Sequence, residues 1–387
     1  MDPVAEIIWK YLESEKDNFI SDLKDLSLIE SPSTDPVSQH DAFGFLIKKY
    51  KELNYYTLQV PGKKTGGYFY ARPNDRIKNY PVQIMVGHCD TVWPHGTLDK
   101  MPVKVKNGQI SGPGVYDMKG GLLQMIYAIK TMRALNLKTE VCPLVFINSD
   151  EEIGSFETTS MIRCLAKIAD RAFVLEPSVG YDGKLKTTRK GVGKFTVNIH
   201  GKAAHAGLDP GKGASAIVEL SHVIQKLFAL NDPENGISVN VGMIDGGTRP
   251  NVIAPESNAV IDVRIPTAKD AEFITSEILS LKPENKNIEL VIEGRIGRPP
   301  MEATEQNRQL WSRAKNAAER LAFELEETAA GGGSDGNTTS QFTATLDGLG
   351  ATGDGAHALH EFAFIDKLIE RTALLTLLLL EPQLRIS

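Results

Sequence analysis

Short apolar runs that stop abruptly at acidic or imidazole residues set the pattern of this chain. Residues 82–87 (VQIMVG) stop at His88, residues 143–149 (PLVFINS) run into Asp150-Glu151-Glu152, and residues 172–175 stop at Glu176-Pro177. Apolar runs this short, without polar alternation, predict strands buried on both faces. Asp117 stands just before Lys119-Gly120-Gly121, after which Leu122, Leu123, Met125, Ile126, Ile129 and Met132 recur at helical spacing. Strands alternating with helices indicate an α/β sheet covered on both faces. Ligands of such sheets sit beyond the carboxyl ends of the strands, where three of these polar clusters fall.

Amphipathic helices are expected over residues 5–30 and 40–53, separated by the turn-forming stretch Ser31-Pro32-Ser33-Thr34-Asp35-Pro36. The middle of the chain has a different rhythm. Strands at 194–200, 238–244, 257–265 and 288–293 and helices at 213–229 and 268–281 follow in the order β-α-β-β-α-β, a ferredoxin-like pattern. This predicts an inserted domain at about 190–299, flanked by the two parts of a larger domain, 1–189 and 300–387. The larger domain resumes with a helix near 305–323 and a Gly-rich turn, Gly331-Gly332-Gly333-Ser334-Asp335. His357 and a helix near 365–381 follow.

The polar ends of the runs are a donor set. His88, Asp90, Asp117, Glu151, Glu152, Glu176 and His357 offer two imidazoles and several carboxylates, which suits zinc or cobalt. Three such ligands would serve one catalytic metal; more, with a carboxylate over to act as base, point to a two-metal hydrolase. Other readings of single residues stand beside this one. Asp117 also suits a helix N-cap. His95 reads as a loop residue at the cleft rim, and Cys89 as facing away from the site by strand alternation. Cys142 and Cys164 read as buried small apolar residues.

Composition narrows the partners. The 387 residues exceed a single core, and a net charge of −6 without a long Lys/Arg block argues against nucleic acid. The longest apolar run, residues 373–380, is too short to span a bilayer, so no membrane role is expected. Three cysteines suggest no disulfide framework, and no export signal is visible, so the cytoplasm is the expected compartment.

Taken together, His88-x-Asp90-Thr91, Gly112-Pro113-Gly114-x-x-Asp117-Met118-Lys119-Gly120-Gly121, Asp150-Glu151-Glu152-x-Gly154-Ser155, Glu176-Pro177 and Gly355-Ala356-His357 resemble the M20 family of zinc peptidases, in particular its glutamate carboxypeptidase branch. The resemblance implies a three-layer α/β/α catalytic domain with an inserted ferredoxin-like α+β lid and dimerisation domain. It implies two Zn2+ ions, with Co2+ or Mn2+ as alternatives. Asp117 would bridge them, with His88 and Glu176 on one and Glu152 and His357 on the other. Glu151 would be the general base rather than a ligand, and Asp90 would orient His88. His205, in Ala203-Ala204-His205-Ala206-Gly207, would donate to the developing oxyanion, in relatives at the partner subunit's site. Asn251, Arg264, Arg298 and Gly332 would meet the substrate, Asn251 and Arg264 through its terminal carboxylate. The implied activity is hydrolysis of the amide bond next to a C-terminal amino acid in short peptides or N-acyl amino acids, by a homodimer. Deacylation of acetylornithine or succinyl-diaminopimelate type, a one-metal carboxypeptidase and a non-catalytic metal-bound binding protein are the alternatives.

Overall fold

A computed structural model describes residues 1–384. These residues divide into two compact units. One comprises Met1–Thr187, Ala303–Ala329 and the chain from Ser334 on; the other comprises Thr188–Glu302 with Ala330–Gly333. The insertion expected at 190–299 falls inside the second unit.

The described part of the first unit is built on a six-stranded sheet ordered Tyr55–Val60, Tyr68–Pro73, Cys142–Asn148, Val82–His88, Ala169–Val174 and Ala344–Leu346. The last four strands run parallel, and the first two form an antiparallel edge. The sequence explains the central position of Val82–His88 and Cys142–Asn148. Every residue of both is buried, as a parallel strand covered on two faces requires. Alternate side chains serve opposite faces. Ile84, Val86, Leu144 and Phe146 pack with Ile162 and Leu165 of helix Thr159–Ala166. Met85, Val145 and Ile147 pack with the helices Gly120–Ala134 and Ile365–Leu380. Helix Ile365–Leu380 is buried almost all round from Ala373 to Leu379. Among the described residues no helix is long and apolar enough to cross a membrane.

Two expectations are corrected here. The helix expected over 5–30 is two helices, Pro3–Ser14 and Lys16–Ser27, because Glu15 leaves helical geometry at φ −97° and ψ 0°. No Pro or Gly marks that break. Cys164 is exposed rather than buried, because its helix Thr159–Ala166 turns Ile162, Leu165 and Ala166 inward instead.

The second unit forms a four-stranded antiparallel sheet ordered Ser238–Gly246, Glu256–Ile265, Gly191–His200 and Glu289–Arg298. In chain order this is 2-3-1-4, the ferredoxin-like arrangement. Inward residues Phe195, Val197, Ile199, Ile261 and Val263 meet Leu220 and Val223 of helix Ala216–Phe228 and Ile274 and Ile278 of helix Ala268–Ser280. Where the chain enters and leaves the unit, Arg189 and Met301 exchange both main-chain hydrogen bonds, at 2.9 and 3.0 Å.

Candidate metal centre

Three neighbouring parallel strands deliver the acidic clusters to one end of the main sheet. His88 is the last residue of Val82–His88 and pairs with Asn148 at the end of Cys142–Asn148. Glu151 and Glu152 lie three and four residues beyond Asn148, and Glu176 lies two beyond Ala169–Val174. Asp117 and His357 arrive from elsewhere. Asp117 sits in a tight turn, Val115–Lys119, that feeds helix Gly120–Ala134. His357 sits in the loop between Gly353–Asp354 and Phe362–Phe364. Phe362–Phe364 pairs with Gln109–Ser111, which leads into the Asp117 turn. That small sheet brings the two loops together.

The carboxylate of Asp117 lies between the two imidazoles. Its Oδ1 is 3.5 Å from Nε2 of His88, and its Oδ2 is 3.6 Å from Nε2 of His357. Glu176 Oε1 is 3.5 Å from His88 Nε2, and Glu152 Oε2 is 3.1 Å from His357 Nε2. Ligand atoms of His88, Asp117 and Glu152 lie within 4.8 Å of one another, as do those of His88, Glu151 and Glu176. Asp117 Oδ1 is buried and has no hydrogen-bond partner among the described residues. A buried carboxylate oxygen without a donor is costly unless a cation meets it. The donor set of imidazole nitrogens and carboxylate oxygens therefore fits divalent metal.

Electrostatics reflect the same crowding. Burial alone pulls the His88 imidazole down, but the carboxylates of Asp117, Asp90 and Glu176 carry it well above its ordinary range. The Glu152 hydrogen bond raises His357 to about 9. A cation is also built into the wall: Lys186 Nζ is 3.9 Å from Glu176 Oε2.

Around these residues lies a buried polar frame. His88 Nδ1 faces the main-chain carbonyl of Asp90 at 2.9 Å and its carboxylate Oδ1 at 3.3 Å. The Asp90 carboxylate also accepts the N–H groups of Glu151 and Glu152, at 3.3 and 3.2 Å, and the Ser33 hydroxyl at 2.7 Å. Asp150, raised to about 6 by burial, accepts from the Glu157 N–H and the Thr158 hydroxyl. Asp335 accepts from Ser155 and Asn148, and so grips both ends of the loop that carries Glu151 and Glu152. Glu361, raised to about 7 by burial, accepts three N–H groups of the Asp117 loop.

The sequence-based reading did not identify Glu361, Lys186 or Asp335 as parts of the site. An acidic residue four positions after His357 was the available signal for Glu361. The polar stretch 335–339 is a buried short helix, Asp335–Thr339, capped by Ser334. Asp117 does not cap the following helix: Lys119 stands at that position, with no side-chain cap. His95 pairs with Asp35 and Glu30. Cys89 is buried, and burial raises its thiol.

The remaining expected residues belong to the second unit. His205 is exposed, and its Nδ1 accepts the N–H groups of Gly207 and Leu208, both at 3.2 Å. Nδ1 is thereby the acceptor nitrogen, and Nε2 carries the proton. His205 forms a bridge with Val252, next to Asn251, whose carbonyl accepts the Ala206 N–H at 3.0 Å. Arg264 holds Asp262 through two hydrogen bonds, at 2.8 and 3.0 Å. Arg298 ends its strand, and the Gly332 carbonyl accepts from Arg189 at 3.0 Å.

Comparison with known proteins agrees with this architecture. A family model for peptidase family M20/M25/M40 matches residues 84–381. Carboxypeptidase G2 of Pseudomonas sp. (strain RS-16) is 27% identical over 364 residues, covering 91% of this chain and 86% of that protein. Acetylornithine deacetylase of Myxococcus xanthus is 28% identical over 227 residues, covering 55% of this chain and 57% of that protein. Among solved structures, aminopeptidase PepT of Bacillus cereus superposes with a TM-score of 0.80 at 20% identity, over 94% of this chain and 98% of that one. The dinuclear metal-binding peptidase YXEP of Bacillus subtilis does so with a TM-score of 0.70 at 14% identity, over 95% and 98%. The chain belongs to peptidase family M20/M25/M40 and is a hydrolytic enzyme.

Proposed function

We propose that this enzyme is a dinuclear zinc hydrolase that cleaves the amide bond next to a free C-terminal amino acid, with an acidic residue such as glutamate preferred. Its substrates would be short peptides or N-acyl amino acids. The observation that carries the reading is the placement of Asp117, with one oxygen toward His88 and the other toward His357. His88 and Glu176 would hold one cation and Glu152 and His357 the other, with Asp117 shared. Bound cations would supply Lewis acidity, lowering the pKa of water and polarising the scissile carbonyl; cobalt or manganese could stand in for zinc.

The chain's own groups do the rest. Asp90 holds the Nδ1 side of His88 and leaves Nε2 to face the acidic centre. It also fixes the backbone of Glu151. Glu151 takes a proton from the attacking water and returns it to the leaving amine. His205, with its proton on Nε2, is suited to donate to the developing oxyanion. Asn251, Arg264, Arg298 and Gly332 would bind the substrate. Arg264 would do so while sharing its guanidinium with Asp262. We place the enzyme in the cytoplasm as a homodimer joined through the second unit; three free cysteines fit a reducing compartment.

A substrate panel of N-acetyl, N-succinyl and aminoacyl-glutamate compounds, with added zinc, cobalt or manganese, tests the reading. Metal-dependent release of glutamate is expected. No amine release from any member would sink it. The acetylornithine deacetylase relative favours a second reading, deacylation of an N-acyl amino acid; preferential turnover of N-acetylornithine over aminoacyl-glutamates would select it.

A further inference from the structure

Glu361 enters neither the ligand set nor the proton path, yet its surroundings are unusual. It is 1% exposed. Its Oε1 accepts the N–H groups of Tyr116 and Asp117, both at 3.0 Å. Its Oε2 accepts the Gly114 N–H at 3.0 Å and the Trp93 indole N–H at 3.1 Å. Its own carbonyl accepts the Gly112 N–H at 3.2 Å. Successive main-chain N–H groups converging on one anion form a nest, an arrangement that normally binds an exogenous anion. Here the chain supplies the anion itself. Gly114, at φ +76°, gives the loop its reversal, and the Lys119 side chain packs beneath it.

We infer that Glu361 is a positioning residue for the metal centre: its buried carboxylate is the template around which residues 112–119 close, and it sets Asp117 midway between His88 and His357. Glu361 is four residues from His357, so one carboxylate ties together the two loops that come from outside the main strands. The inference rests on the proposed dinuclear reading for its catalytic consequence, but not for its effect on the loop. Charge matters as well as shape. A glutamine would keep one acceptor oxygen and turn an N–H2 toward groups that can only donate.

The test uses the full chain with Glu361→Gln, Glu361→Ala and Trp93→Phe. Amide exchange across residues 112–119 is followed in the metal-free and zinc-loaded proteins, alongside zinc bound at buffered free zinc, the visible spectrum of the cobalt form, and kcat and KM. Glu361→Gln should keep its global fold, exchange these amides at least tenfold faster, bind zinc roughly 10–100-fold more weakly, alter the cobalt bands and lower kcat more than KM. Trp93→Phe, which spares the three main-chain donors, should stay near the parent. If Glu361→Ala does not fold, the other two variants decide. Parent-like amide protection, zinc affinity and cobalt spectrum in Glu361→Gln would overturn the inference. If the parent chain takes up no zinc, the dinuclear reading fails, and exchange in the metal-free proteins still decides whether Glu361 organises the loop.

Discussion

The imidazole of His88 is clamped on its Nδ1 side by Asp90, whose carbonyl and carboxylate lie 2.9 and 3.3 Å away. Nδ1–H is committed to that contact, so Nε2 is the nitrogen left to face Asp117 and Glu176. Asp90→Ala should therefore cost about 10–100-fold in metal affinity or activity. It also frees the Glu151 and Glu152 N–H groups, so activity should fall further than metal content. Metal analysis beside kcat would show the two losses separately; equal losses would confine Asp90 to His88 alone.

Glu151 carries the proton in the proposed reaction. Glu151→Gln should lower kcat by about 10²–10⁴-fold while metal content stays near that of the parent. A variant keeping most of its activity would move the base elsewhere.

His205→Ala should reduce kcat by on the order of 10²–10³-fold, the usual effect of losing an oxyanion donor. Metal content and thermal stability should hardly change, because the residue is exposed in the second unit. Mixing this variant with Glu151→Gln probes the dimer. Partial recovery of activity in the mixture is expected if His205 serves the partner subunit; no recovery would restrict it to its own chain.

Removal of metal by a chelator should lower the melting temperature, since a ligand bound only to the folded state stabilises it. Without cations, the buried Asp117 oxygen and its acidic neighbours lose their counter-charge. Zinc or cobalt should restore both melting temperature and activity. A melting curve indifferent to chelator would argue against occupied sites.

A pH effect is expected away from the centre. The Asp35 hydrogen bond, with Glu30 adding, raises the exposed His95 above the usual imidazole range. A raised folded-state pKa gives stability that is present below the unfolded value and lost as pH rises through the folded one. His95→Gln should thus lie below the parent in melting temperature near pH 6, with the gap closing as the pH rises through the raised imidazole range. The gap should be small, because the contact faces solvent. A constant gap across that range would remove His95 from the pH response.

Much of the fold was legible because burial writes a simple code. Residues 82–87 and 143–149 are mostly apolar without polar alternation, as a strand covered on both faces requires. Alternation in 194–200 likewise revealed the one-sided sheet of the second unit. The antiparallel strands Tyr55–Val60 and Tyr68–Pro73 escaped notice, since both are half-buried and mix aromatic with polar residues. The clustering of these imidazoles and carboxylates was legible because each closes an apolar run or sits in a glycine-flanked motif. Glu361 was not, because its partners are main-chain N–H groups some 245 positions earlier, and such groups have no sequence signature. Asp335 was opaque for a related reason: its worth depends on meeting Ser155 and Asn148, 180 and 187 residues away.

The second unit is spliced into the stretch between Glu176 and His357, which has a consequence for biosynthesis. A nascent polypeptide displays the early acidic strand ends long before His357 is made. The inserted unit, closed at its neck by Arg189 and Met301, can mature in that interval as an autonomous piece. The outer unit must wait for residues 344–380, which bring an edge strand, a deeply buried helix and His357 in one segment. A stop codon shortly before His357 would therefore leave both a gutted interior and an open donor set, a product fit mainly for proteolysis.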